Sequence, residues 1–168
     1  NVLEETWHLW RSVYSAGKWS EPTYIDIPNL RDRLTSHPSV DKQGNLYFHS
    51  SLPDYTEMKL FVSRLKNGSY ESANPLNLNL QSITYTPYIT PKGEALYFAC
   101  RDSGLVQCHL STGKLPEGPF SVNRLPGLGR LLNQSNPSSS PDGRFLFYSN
   151  TVNQVYKVFC IDRQAFEE

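Results

Sequence analysis

Histidine, cysteine, carboxylate and arginine side chains are the groups here able to move protons, ligate metals or hold charged partners. The four histidines stand at 8, 37, 49 and 109, each in a different strand context, with no ligand spacing among them. There is no Gly-x-Ser-x-Gly, no His-Glu-x-x-His and no Gly-x-x-x-x-Gly-Lys. No residue is therefore assigned a catalytic role, and neither a metal site nor a cofactor is expected. Asp41 and Asp142 look like a carboxylate pair, but each sits in a Gly-bearing turn that explains it. His37 stands out because Arg31, Asp32 and Arg33 lie just upstream. With Tyr85, Tyr88, Asn133, Gln134 and Asn136, the pair Arg33 and His37 forms a set able to stack on and hydrogen-bond a ligand. The plainer alternative is that these residues only solvate a surface.

The elements that must position this set are written three times. The phrases are His37-Pro38-Ser39-Val40 through Leu46-Tyr47-Phe48, Thr86-Pro87-Tyr88-Ile89 through Leu96-Tyr97-Phe98, and Asn136-Pro137-Ser138-Ser139 through Leu146-Phe147-Tyr148. The Leu-aromatic-aromatic triplet recurs every 50 residues. A fixed period in this range marks a repeat architecture, whose binding surfaces are shared between units. Within a unit a short Ser/Thr-rich strand leads to a turn at Asp41 to Gly44, Pro91 to Gly93 or Pro141 to Gly143. An apolar strand follows, then an alternating one such as Lys59 to Leu65 or Val155 to Ile161, and last a more polar one such as Tyr70 to Leu78. Four short antiparallel strands in a meander make a β-propeller blade, with polar residues and prolines protecting its outer edge. A β-sandwich also uses many short strands but has no reason to repeat one phrase at constant period. Helical periodicity is weak; only Arg163 to Glu168 reads as a terminal turn.

The expected fold is all-β, a propeller of four-stranded antiparallel blades. Residues 1–35 read as the second half of a blade, 36–81 and 82–130 as complete blades, and 131–168 as a partial blade. Trp7, Trp10 and Trp19 fall in the broken first blade and are expected to pack against blades outside this sequence.

Bulk composition narrows the partners. With 16 Lys plus Arg and 16 Asp plus Glu, the chain lacks the basic footprint of nucleic-acid binding. No apolar run approaches the ~20 residues of a spanning helix, so membrane insertion is not expected. Asn1 begins no apolar leader, so a signal peptide is expected to be absent or already removed. Cys100 and Cys108 flank a turn and are close enough in sequence for a cross-strand disulfide, although half-buried thiols are the simpler reading.

Pro137 to Ser149, Pro38 to Ser50 and the outer-strand phrase Gly17-Lys18-Trp19-Ser20-Glu21-Pro22 resemble the TolB-type, WD-repeat-like β-propeller repeat family of bacterial periplasmic and surface proteins. Pro87 to Ala99 departs from that pattern: Lys92 replaces the turn Asp and Ala99 the final Ser. The resemblance covers almost the whole chain and implies the propeller fold and an extracytoplasmic location. Propellers close with roughly four to eight blades, so the missing ones are expected from a longer chain or from a second copy in a homo-oligomer. The functional expectation is a non-catalytic binding or scaffolding module that engages a protein, peptide or glycan through the loops leading into the inner strands. The alternative is part of a propeller enzyme (a lyase, glycosidase or peptidase-associated domain) with its catalytic groups elsewhere.

Overall fold

The structure, a computed structural model, describes residues 7–80, 82–90, 92–93, 95–101, 108–114, 123–124 and 134–166. It is all-β, an incomplete propeller of antiparallel blades. The first sheet is a broken hairpin: β1 (Trp10–Arg11) and β2 (Tyr14–Ser15) pair with β4 (Thr23–Tyr24) and β3 (Lys18–Trp19) respectively. The second blade contains β5 (Leu34–Val40), β6 (Leu46–Ser51), β7 (Lys59–Ser63) with its extension β8 (Leu65–Lys66), and an outer edge of β9 (Ser69–Tyr70) and β10 (Asn74–Pro75). The third runs β11 (Ile83–Ile89), β12 (Ala95–Arg101), β13 (Cys108–Lys114) and β14 (Asn123–Arg124). The fourth has three strands, β15 (Ser135–Ser139), β16 (Phe145–Val152) and β17 (Val155–Asp162), followed by a single 3-10 turn, Arg163–Phe166.

The 50-residue period is the period of blade stacking. In a strand covered on both faces, successive residues of the Leu-aromatic-aromatic triplet point to opposite neighbours. Leu46 and Phe48 pack back onto Leu9, Ile27 and Leu30 of the N-terminal segment. Leu96 and Phe98 do the same against Tyr47, Leu60 and Leu78 of the second blade. Leu146 and Tyr148 repeat the contact against Tyr97 of the third. The middle residue of each triplet thus faces forward: Tyr47 and Tyr97 are buried by the following blade. Such two-sided burial explains why the triplet has no polar member.

Each hairpin between the first two strands of a blade is closed by a side-chain oxygen. Ser140 Oγ accepts from Phe145 N at 2.9 Å, and Thr90 Oγ1 accepts from Ala95 N at 3.2 Å. Thr90 thus makes the bond that Ser140 makes one period on, in the repeat where Lys92 stands in place of Asp. Val40 occupies the corresponding position of the second blade and has no hydroxyl. Asp41 replaces it, accepting from Gln43 N and Asn45 N through Oδ1, both at 2.9 Å, and from Asn45 Nδ2 and Tyr47 OH through Oδ2. Gly44 completes this turn at φ +85, where an added Cβ would lie 2.7 Å from Leu65 Cδ2. Because Asp41 satisfies several donors at once, Asp41→Ala should cost about 1–3 kcal/mol, read as a lower urea midpoint at unchanged slope, with Asp41→Asn recovering part of the loss.

Cys100 is buried and pairs in register with His109, whereas Cys108 stands opposite Arg101. The side chain of Cys108 lies outside the described residues.

Candidate functional site

Every inner strand is interrupted at its proline. Proline has no N–H to give the ladder, and each strand accommodates it with a bulge: the registers shift between Ser36 and Ser39, Tyr85 and Tyr88, and Ser135 and Ser138. The residue before each proline is left-handed, with φ of 53 at His37, 48 at Thr86 and 51 at Asn136. Asn and His tolerate this region, but a β-branched threonine there is an outlier. Residues held in such conformations cluster at functional sites because the surrounding structure must enforce them.

Side chains bridging the blades do the enforcing. Ile89 N donates to Ser39 Oγ at 2.9 Å, Asn136 N to Thr86 Oγ1 at 3.3 Å, and Thr86 N to His49 Nδ1 at 3.2 Å. The last bond fixes a tautomer. A backbone N–H can only donate, so Nδ1 of His49 carries no proton and Nε2 does. That Nε2–H donates to Ser36 Oγ at 2.7 Å, and the same Oγ lies 3.1 Å from His37 Nδ1, where the donor is set by the His37 tautomer. The contact occupies His37 Nδ1 and leaves Nε2 as its other ring nitrogen. The two imidazoles stack with centroids 4.9 Å apart. Burial, reinforced by His37, pushes the His49 pKa down to about 4, and desolvation also lowers that of His37.

The three left-handed residues meet in one cleft of about 500 Å³. His37 and His49 come from the second blade, Tyr85 and Thr86 from the third, and Ser135 and Asn136 from the fourth. Tyr55, Met58 and Ile83 add apolar wall, and Arg101 adds a cation. The volume is that of a small-molecule or peptide-side-chain site. Among the described residues no group of three or more His, Cys, Asp or Glu is arranged to hold a metal ion.

Comparison with solved structures places this architecture. TolB from Acinetobacter baumannii superposes with a TM-score of 0.64 over 95% of this chain at 18% identity. A TolB-type protein from Agrobacterium tumefaciens superposes with a TM-score of 0.57 over 79% of this chain at 16% identity. The fold is that of the TolB-type β-propeller. This chain spans 36% of the first protein's length and 44% of the second's. No protein-family model matches the sequence, and no curated protein matches it.

Of the residues singled out from sequence, His37, Tyr85 and Asn136 line the cleft of this TolB-like propeller. Arg33 and Tyr88 do not, and both are engaged elsewhere. Arg33 donates to Ser50 Oγ and to the Glu57 carbonyl, both at 3.3 Å, and pairs with the Glu57 carboxylate at 3.4 Å. It thereby pins the approach to β7. Tyr88 bridges blades through its hydroxyl, 2.8 Å from Ser139 Oγ. Gln134 is fully buried, and Asn133 lies outside the described residues. Trp10 and Trp19 are exposed on the half-blade.

Sequence reasoning did not assign His49, Thr86 or Arg101 to the site. For His49 and Thr86 a signal existed: His49 stands directly opposite Ser36, beside His37, and Thr86 shares the pre-proline position with His37 and Asn136. Arg101 belongs to the cleft only because the third blade's strand end meets its neighbours there.

Proposed function

We propose that the chain is a non-catalytic binding module that engages a protein, peptide or glycan at the inner-strand bulges. The observation that carries this reading is the convergence of three strained pre-proline residues, one per blade, on a single cleft. A purely structural bulge would not need histidine, threonine and asparagine side chains gathered around open volume. The cleft is pre-formed by the inter-blade bonds, so binding sacrifices little conformational entropy. The likeness to TolB favours an extracytoplasmic bacterial setting.

Both ends of the blade array expose apolar surface that favours additional blades. Tyr156 and Val158 on β17 are 76% and 77% exposed, and Trp19 on the half-blade is 70% exposed. Patches of this kind mark interaction surfaces. Further blades, from a longer chain or from a second copy, would cover them as the third blade covers Tyr47. Mass measurement of the isolated chain by light scattering separates the two sources: a stable dimer favours the second copy, a monomer the longer chain.

The binding reading is tested by incubating the labelled chain with immobilised random-peptide and glycan arrays. Binders whose signal drops at least about fivefold with Tyr85→Ala, as expected for loss of a stacking platform at ~1 kcal/mol, support it. Binders indifferent to Tyr85→Ala and Asn136→Ala alike would move the site away from the cleft.

A further inference from the structure

The cleft carries a sign. Among the described residues its lining includes the Arg101 guanidinium and the two imidazoles but no aspartate or glutamate. Arg101 makes no ion pair with any described residue, in contrast to Arg31, Arg33 and Arg144, which are paired with Asp26, Glu57 and Asp162. An arginine fork without a carboxylate is the side chain best suited to recognise one. His37 adds a second polar contact: Ser36 Oγ engages its Nδ1, so a ligand in the cleft meets Nε2, a donor in the tautomer that accepts the Ser36 hydroxyl.

Register places apolar contacts beside the cation. Ile83 is the cross-strand partner of Arg101, and Tyr85 that of Ala99 two residues along. Directly opposed residues share a sheet face, so Ile83 and Tyr85 flank Arg101 on one face of the third blade. Met58 adds another apolar contact. The combination suits a carboxylate set between hydrophobic side chains, and the span across three blades suits an extended chain more than a compact molecule.

Resting on the binding reading above, we infer that the cleft recognises an acidic residue within an apolar peptide segment, its carboxylate seated on Arg101 with His37 as second donor. The amide counterpart would keep one acceptor oxygen but lose the charge and the second oxygen of a bidentate pair, and the lysine counterpart would set a like charge against Arg101.

The test uses affinity selection by the full chain from three acetylated, amidated hexapeptide libraries, random in Leu, Ile, Phe, Ala and Gly except for one central Glu, Gln or Lys. The Glu library should be retained at least tenfold over the Gln library, the Lys library least, and Arg101→Gln should erase the preference while the melting temperature stays unchanged. Arg101 is exposed, so this variant is expected to fold. Equal retention of Glu and Gln libraries, abolished by Tyr85→Ala, would overturn the acidic assignment and leave the binding reading standing. Retention of none would overturn both. Displacement of the retained peptides by equimolar hexanoate would reject a peptide ligand in favour of a small carboxylate.

Discussion

Truncating Phe98 to alanine should cost about 3–5 kcal/mol, the range for emptying a fully buried aromatic site. Phe98 has no exposed surface and lies in the cluster that joins the second and third blades, with Tyr47, Leu60, Leu78, Ile89 and Leu96 around it. Neither blade can collapse into the vacated volume, because each is also anchored to a further sheet. A domain's whole stability is about 5–15 kcal/mol, so this one change should consume a large part of it. Urea unfolding monitored by far-UV circular dichroism gives the size directly. Val158→Ala, on the open face of the fourth blade, provides the contrast: at 77% exposure it should stay within about 0.5 kcal/mol. A Phe98→Ala loss below about 1 kcal/mol would mean that the blades are not packed as described.

Acid should loosen the cleft before it titrates the carboxylates. His49 accepts the Thr86 N–H on Nδ1, and burial holds its pKa at about 4 against an ordinary 6.5. The folded state therefore favours the neutral ring, and below pH 6.5 the unfolded chain binds the extra proton. Stability is complete above the unfolded pKa and falls as the pH drops from about 6.5 towards 4, where the folded protein takes the proton as well. The total is about 3 kcal/mol, at a slope of up to about 1.4 kcal/mol per pH unit. His37 and His8, both lowered by burial, add to the slope with the same sign. His49→Gln retains an acceptor for Thr86 and a donor for Ser36 but cannot titrate. Its stability should be flatter by about 3 kcal/mol over that interval, measured by denaturant midpoints at half-unit pH steps. An unchanged slope in the variant would remove His49 from the account.

The fold was legible because the sequence repeats its physics as well as its letters. Leu46, Leu96 and Leu146 need the same surroundings, and two-sided burial forces the aromatic neighbours of each. The hairpins were legible in kind but not in detail: proline and glycine announce a turn, yet only the structure shows Thr90 closing it as Ser140 does and Asp41 compensating for Val40. The site was less accessible still. A residue before proline is ordinarily driven to extended backbone, so nothing local predicts left-handed His37, Thr86 and Asn136. The bulge and the inter-blade bonds override that preference, and both depend on residues tens of positions away. Arg33 sits outside the cleft lining for a related reason. Its charge beside His37 suggests a ligand contact, whereas Glu57 and Ser50, distant in sequence, occupy it.

The stacking of repeats supports every other claim here, and nuclear Overhauser contacts in the labelled chain test it most directly. The account predicts the same pattern twice, one period apart: Tyr47 ring protons to Leu96 methyls, and Tyr97 ring protons to Leu146 methyls. Direct contacts among the methyls of Leu46, Leu96 and Leu146 would place the three phrases across a shared two-layer core and contradict it.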